Sequence, residues 1–143
     1  MKTLKRVVVG VAFKKNVMTQ ENKDLLLKDL CARLPYSVKI QIVSSTLNTL
    51  YCNRYDAVLS KDNLFRAFEQ DTIIRPYLRP MSSMTEEERK EYNEYLFYGS
   101  SIGLLSNTAT AYELIDWLLK NHFDFMGLIP KGLAIEAPER MYN

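Results

Sequence analysis

An α+β fold follows from three features of this 143-residue sequence. A segment with helical apolar spacing ends at Pro35. A strictly alternating segment begins directly after it. Two later segments open with helix-capping boxes. The length fits one domain, which buries roughly two thirds of the surface its unfolded chain exposes. Hydrophobic residues make up 47% and charged residues 25%, near the globular average, so disorder throughout is not expected.

The first helix is predicted over about Gln20 to Leu34. Thr19 precedes it with a hydroxyl suited to an unpaired amide of the first turn. Leu26, Leu27, Leu30, Cys31 and Leu34 recur at helical spacing and form the expected buried stripe, which makes Cys31 a buried thiol. Pro35 ends the helix, because the residue before proline is pushed out of the α region. From Tyr36 to Val43, Tyr36, Val38, Ile40 and Ile42 alternate with Ser37, Lys39 and Gln41, the period of a half-buried strand. Ser44, Ser45 and Thr46 read as a turn, Leu47–Cys52 as the next strand and Tyr55–Ser60 as a third. These make a small antiparallel β-meander. Residues 61–72, with Leu64, Phe65 and Phe68, fit either a short helix or a hydrophobic loop. Pro76 and Pro80 exclude a regular helix there, so Ile74–Pro80 is expected to be extended and pinned by Tyr77 and Leu78.

Thr85 and Glu88 form a capping box, and Glu86, Glu87 and Glu88 lie at the positive end of the helix dipole. That helix is expected to reach about Tyr98 and to pack through Tyr92, Tyr95 and Leu96. Gly99 to Thr108 is a link. Thr110 and Glu113 repeat the box and open a helix with the core stripe Leu114, Ile115, Leu118 and Leu119. Trp117 lies off that stripe and is expected in a second layer of core. Gly127, Pro130 and Gly132 break the chain into turns, and Leu133–Ile135 is a short strand. The architecture is therefore an N-terminal helix, the meander and two C-terminal helices. Residues 18–138 form the expected domain and residues 139–143 a tail.

Residues 1–17 differ from the rest. Lys2, Lys5, Arg6, Lys14 and Lys15 give them a charge of +5 with no acid. The 19 basic residues less these five leave 14 against 17 acids, so the remainder carries −3. The run Val7–Phe13 is β-branched and short, and reads as an extra N-terminal edge strand. Lys14 and Lys15 follow it at once without a small-residue cleavage site, which argues against a signal peptide. No stretch approaches the ~20 apolar residues of a membrane span. Two cysteines, Cys31 and Cys52, make no disulfide framework and suggest free thiols in a reducing, cytoplasmic setting.

Chemistry-bearing patterns are sparse. The sole histidine, His122, excludes two-histidine zinc motifs within one chain; near a helix C-terminus it is favoured by the dipole. Gly99-Ser-Ser-Ile-Gly103 matches G-x-S-x-G with Ser101 in the nucleophile place, but a helix is predicted before it where that motif needs a strand. Asp116 and His122 follow on or beside one helix and point differently around its axis. The segment reads as an interhelical link, and no catalytic residue is assigned. Neither C-x-x-C nor a phosphate-binding glycine loop occurs, so no metal or cofactor is expected. Glu86–Glu88 reads as a solvated, capped helix start. Arg54, Tyr55, Arg75, Tyr77 and Arg79 mix the residue types of interface hot spots and of base-stacking surfaces. They are the interface candidates. Lys2, Lys5, Arg6, Lys14 and Lys15 are the candidates for nucleic-acid contact.

Three stretches carry a resemblance: Met18 to Tyr36, Arg75 to Glu88, and Ile115 to Ile129 with Lys131 to Pro138. They resemble a group of short proteins encoded in gut Bacteroidales genomes, often in prophage-like settings, and in their phages. The likeness spans most of residues 18–138 and is weakest over 44–72. It implies a cytoplasmic protein of a phage or mobile element, and no activity or functional residue. Asn121 stands where a second histidine is common in that group, Pro130 replaces an acidic residue, and Arg140 stands where glycine is usual. Similar chains begin near Met18, so residues 1–17 are an extra strand or precede the true start. The leading expectation is a non-enzymatic module that docks a protein partner. Against it stand a nucleic-acid accessory protein using the basic segment, and a small serine hydrolase through Ser101.

Overall fold

A computed structural model describes residues 18–45, 52–69, 72–101 and 108–143. The strand expected over 7–13 and all but the last residue of the one expected over Leu47–Cys52 lie outside these residues; Cys52 itself opens a strand that runs unbroken to Val58, so no break precedes Tyr55.

Helix α1 spans Gln20–Arg33, and the Thr19 hydroxyl accepts the Asn22 amide at 3.2 Å, as its sequence predicts. The buried face differs from the expected leucine stripe. Leu26, Asp29, Leu30 and Arg33 are buried, while Leu27 and Cys31 are exposed. Arg33 and Asp29 pair within the helix, and Arg33 also reaches the Phe123 carbonyl. That anchorage turns this face inward and leaves the Cys31 thiol outside. The α-helix ends at Arg33, within one residue of the end expected before Pro35, but the chain keeps a helical path beyond it. Leu34 keeps αR angles, Leu34–Tyr36 tightens into a 3₁₀ turn, and the reversal comes at Ser37 with φ 54° and ψ 42°. Proline is tolerated there because the first residues of a helical turn need no amide partner.

Four strands follow: β1 Lys39–Ser45, β2 Cys52–Val58, β3 Thr72–Leu78 and β4 Ile135–Glu136. Helix α2, Lys61–Glu69, lies between β2 and β3 in the chain and resolves the helix-or-loop alternative. The sheet order is β2-β1-β3-β4. β1 pairs antiparallel with both β2 and β3, and β4 runs parallel to β3, so the sheet is mixed. The return of β3 to the far side of β1 departs from a simple meander.

The alternation of β1 is realised as predicted. Val38, Ile40 and Ile42 are buried with Ile74 and Leu78 against Leu26 and Leu30 of α1. Leu59, Leu128, Leu133 and Ala134 complete this core. Each fully buried leucine-sized side chain contributes roughly 1.5–3 kcal/mol. Pro76 is buried in β3, which has neighbours on both sides. The Leu78 carbonyl faces β4, accepting the Ala137 amide at 2.8 Å. Backbone groups alternate along a strand, so Pro76 aims its nitrogen the same way. Pairing with β4 begins only at Tyr77, so no ladder bond is missed.

Helices α3, Glu86–Ser101, and α4, Thr108–Lys120, complete the fold. The Thr85 box forms: the Glu88 amide donates to Thr85 Oγ1 at 3.1 Å, and the Thr85 amide to Glu88 Oε1 at 3.0 Å. The box expected at Thr110 does not open α4, which already begins at Thr108 and leaves no helix end at Thr110 to cap. On α4, Leu118 and Leu119 are buried but Ile115 is exposed, and on α3 Leu96 is exposed. Trp117 fills the second layer, its ring centroid 6.4 Å from Tyr92, 6.1 Å from Tyr95 and 5.6 Å from Phe123. Its indole donates to Glu91 at 2.8 Å. No helix of the described residues is long and apolar enough to cross a membrane.

The tail beyond Glu139 is part of the packing. The Tyr142 hydroxyl accepts the Lys39 amide at 2.9 Å and donates to the Tyr77 carbonyl at 2.7 Å. It stands between β1 and β3 one step beyond their last pair, Ile40 with Pro76. Tyr142→Phe leaves both backbone groups unpaired and is expected to destabilise the fold by about 1–3 kcal/mol in urea denaturation. Arg140, at φ 66°, occupies the left-handed region that glycine adopts freely. Arg140→Gly is expected to stabilise by up to about 1 kcal/mol in the same assay, because glycine carries no Cβ to crowd this conformation.

Candidate interaction surfaces and the polar centre

The five interface candidates do not form one surface. Tyr55 pairs with the core-facing Ile42 and shares its side of the sheet, whereas Arg54 and Arg75 lie on the opposite side. Arg54 and Tyr55 are exposed and Arg75 is half-buried. Tyr77 is buried, its hydroxyl donating to Asp56 at 2.7 Å and accepting from Gln41 at 3.3 Å. Burial and the adjoining Asp56 carboxylate push its phenol upward.

Arg79 is used internally. Its guanidinium grips Glu88 through two bonds of 2.8 Å and lies 4.3 Å from the Phe123 ring centroid. Its backbone amide donates to the His122 carbonyl, and its carbonyl accepts the Asp124 amide, each at 2.8 Å. The guanidinium bond, with the Thr85 backbone bond and against the cost of burial, holds the Glu88 carboxyl down at about 2. Tyr77 and Arg79 are therefore structural. Isolated tyrosine and arginine positions carry no sequence signal that separates such internal use from a surface role.

His122 also departs from its expected role. It follows α4 at φ 62°, and its ring stacks on Tyr142 with centroids 3.8 Å apart. Burial, then the charges of Arg33, Arg79 and Lys39, lower its pKa from 6.5 to about 4. The imidazole is neutral near pH 7, so a charged partner for the helix dipole is not what it supplies.

The groups around it form a polar centre that sequence patterns missed. Arg33 is fully buried, donating from Nε to Asp29 at 2.7 Å and from Nη2 to Asp29 at 3.1 Å and the Phe123 carbonyl at 2.8 Å. Burial pushes the Asp29 carboxyl up against the opposing pull of Arg33. Asp124 accepts the Leu128 and Ile129 amides at 2.8 and 2.9 Å and closes the following turn. The i,i+4 spacing of Asp29 and Arg33 was a legible ion-pair signal, but charge on a helix ordinarily marks its solvent face.

Other motifs also find places. Ser101 ends α3, so the G-x-S segment begins within a helix and not after a strand; Ile102 and Gly103 lie outside the described residues. Lys2, Lys5, Arg6, Lys14 and Lys15 lie outside them as well. Among the described residues no group of three or more His, Cys, Asp or Glu side chains could hold a metal. Asp116 accepts a hydrogen bond from the Tyr36 hydroxyl. Beside it, Tyr112, Glu113, Ile115, Asp116 and Leu119 of α4 line an open depression of about 410 Å³. Tyr112 is 72% exposed and Ile115 42%.

No family model matches the chain, and neither does any curated protein or solved structure.

The His122 environment sets a pH dependence. Between about 4 and 6.5 the unfolded chain binds a proton at His122 that the folded chain refuses, so this residue lowers stability as pH falls through that window. His122→Phe removes the titration and retains an aromatic ring against Tyr142. The stability of wild type relative to this variant is expected to fall from pH 7 to pH 4, read from thermal midpoints in matched buffers. A constant difference across the range contradicts the assignment.

Proposed function

We propose that the chain is a non-enzymatic interaction module that docks a protein partner through the face of α4 that carries Tyr112 and Ile115. The observation that carries this reading is the exposed pair Tyr112 and Ile115 at the apolar depression, on a helix whose Leu118 and Leu119 are buried. Aromatic side chains beside a pocket are the usual anchors of an interface. Glu113 and Asp116 at the same place favour a partner that inserts an apolar side chain flanked by Lys or Arg. The tyrosine and arginine cluster on the strands supports this less well, because Tyr77 and Arg79 are committed internally. A place in a phage or mobile element is part of the proposal and rests on the resemblance of residues 18–138 alone.

A second reading rests on the +5 charge of residues 1–17: a nucleic-acid accessory protein that contacts phosphates through Lys2, Lys5, Arg6, Lys14 and Lys15. Its mark is retention on DNA or RNA that weakens with salt and is lost when these five residues are changed to glutamine.

The test is affinity capture from the native host, with tagged wild type, Ile115→Asp, Tyr112→Ser and, as a control on another helix, Leu27→Ser. One partner retained by wild type and Leu27→Ser is expected to weaken roughly tenfold or more with each α4 variant. Equal retention by all four chains, or none by wild type, rejects the α4 docking face.

A further inference from the structure

We propose that the outer edge of β2 pairs antiparallel with β2 of a second copy of this chain, centred on Tyr55, so that one sheet continues across a two-fold axis. β2 stands at one end of the strand order, and among the described residues nothing pairs with its outer side. The Leu59 amide donates to the Val38 carbonyl, so the odd-numbered residues here direct their backbone groups toward β1. Arg54, Asp56 and Val58, in alternation, direct theirs to the open edge. An antiparallel partner must set outward residues opposite outward residues.

That rule leaves three registers near the strand centre for a copy of the same strand. Centring on Arg54 sets Arg54 against Arg54, and centring on Asp56 sets Asp56 against Asp56. Like charges directly opposite are destabilising. Centring on Tyr55 sets Arg54 of each copy opposite Asp56 of the other, twice, and sets the two Tyr55 rings side by side. Cys52 then lies opposite Val58, so all seven residues of the strand have a place. Tyr55 is 49% exposed and Val58 50%, which leaves both uncovered for this contact.

Edge strands are usually guarded by charged side chains, proline or a bulge. Here the charges are of opposite sign and stand in a self-complementary order. One Asp56 oxygen takes the Tyr77 hydroxyl, so the carboxylate is held in place on the side of the sheet it shares with Arg54. The Val58 carbonyl accepts the Asn63 side chain at 3.2 Å, which blunts one end of the edge and concentrates pairing on Arg54–Asp56. A contact of one short strand per copy is smaller than a standard interface, so the dimer is reversible. The proposal does not depend on the α4 face.

The charge pattern gives a complementation test on the full chain by sedimentation velocity. Wild type is expected to move from one to two times 16.6 kDa as concentration rises. Arg54→Asp alone sets acid against acid, and Asp56→Arg alone sets base against base, so each is expected to stay monomeric. An equimolar mixture of the two restores both opposite pairs and is expected to dimerise. Should Asp56→Arg fail to fold, hydrogen exchange on wild type decides instead. The Arg54 and Asp56 amides are then expected to exchange at least tenfold faster on dilution into the monomer range. A monomeric wild type at all concentrations, an Arg54→Asp chain that still dimerises, a mixture that stays monomeric, or edge amides whose protection ignores concentration each overturns the proposal. The last result assigns the edge to another segment of the same chain.

Discussion

The fold depends on a guanidinium with no access to water. Arg33 is fully buried, and stripping a charge of its hydration costs several kcal/mol. Two bonds to Asp29 and one to the Phe123 carbonyl offset that cost only if all three groups are held in place. The pair therefore acts as a constraint as much as a source of stability. It fixes the rotation of α1, it selects Leu26 and Leu30 as the apolar residues facing β1, and it ties the first helix to residue 123.

From Phe123 the constraint spreads in both directions along the chain. Its ring lies under the Arg79 guanidinium and against Trp117, which joins α3 and α4 to the end of β3. Asp124 then turns the backbone through the Leu128 and Ile129 amides, so that Leu128, Leu133 and Ala134 enter the core. β4 lies down beside β3, and Tyr142 bridges β1 and β3 with its hydroxyl while its ring covers His122. Residues near the C-terminus thus complete the sheet that the first helix covers.

Sequence signals predict the structure where the physics is local. The Thr19 cap, the Thr85–Glu88 box and the alternation through Val38, Ile40 and Ile42 depend on neighbours within a few residues, and each is present. Expectation and structure differ where a distant partner overrides the local pattern. Cys31 is exposed because Arg33 and Asp29, not the leucine stripe, decide which face of α1 turns inward. Tyr77 and Arg79 looked like surface candidates because nothing nearby in the sequence announces Asp56, Glu88 or Phe123 as their partners. The helix end alone suggests a charged His122, but burial first, and then the cations of α1, β1 and the segment after β3, keep it neutral. Nothing local announces the packing of the tail, because Tyr142 acts on Lys39, more than a hundred positions away, and on Tyr77.

A double-mutant cycle on Asp29 and Arg33 tests the central claim most directly. Urea denaturation of Asp29→Leu, Arg33→Met and the double variant measures the coupling of the pair. Each single change strands one buried partner and is expected to cost about 3–5 kcal/mol, while the double variant falls well short of their sum because no unpaired charge remains. Additive losses, or single variants as stable as wild type, contradict a fold organised around this pair.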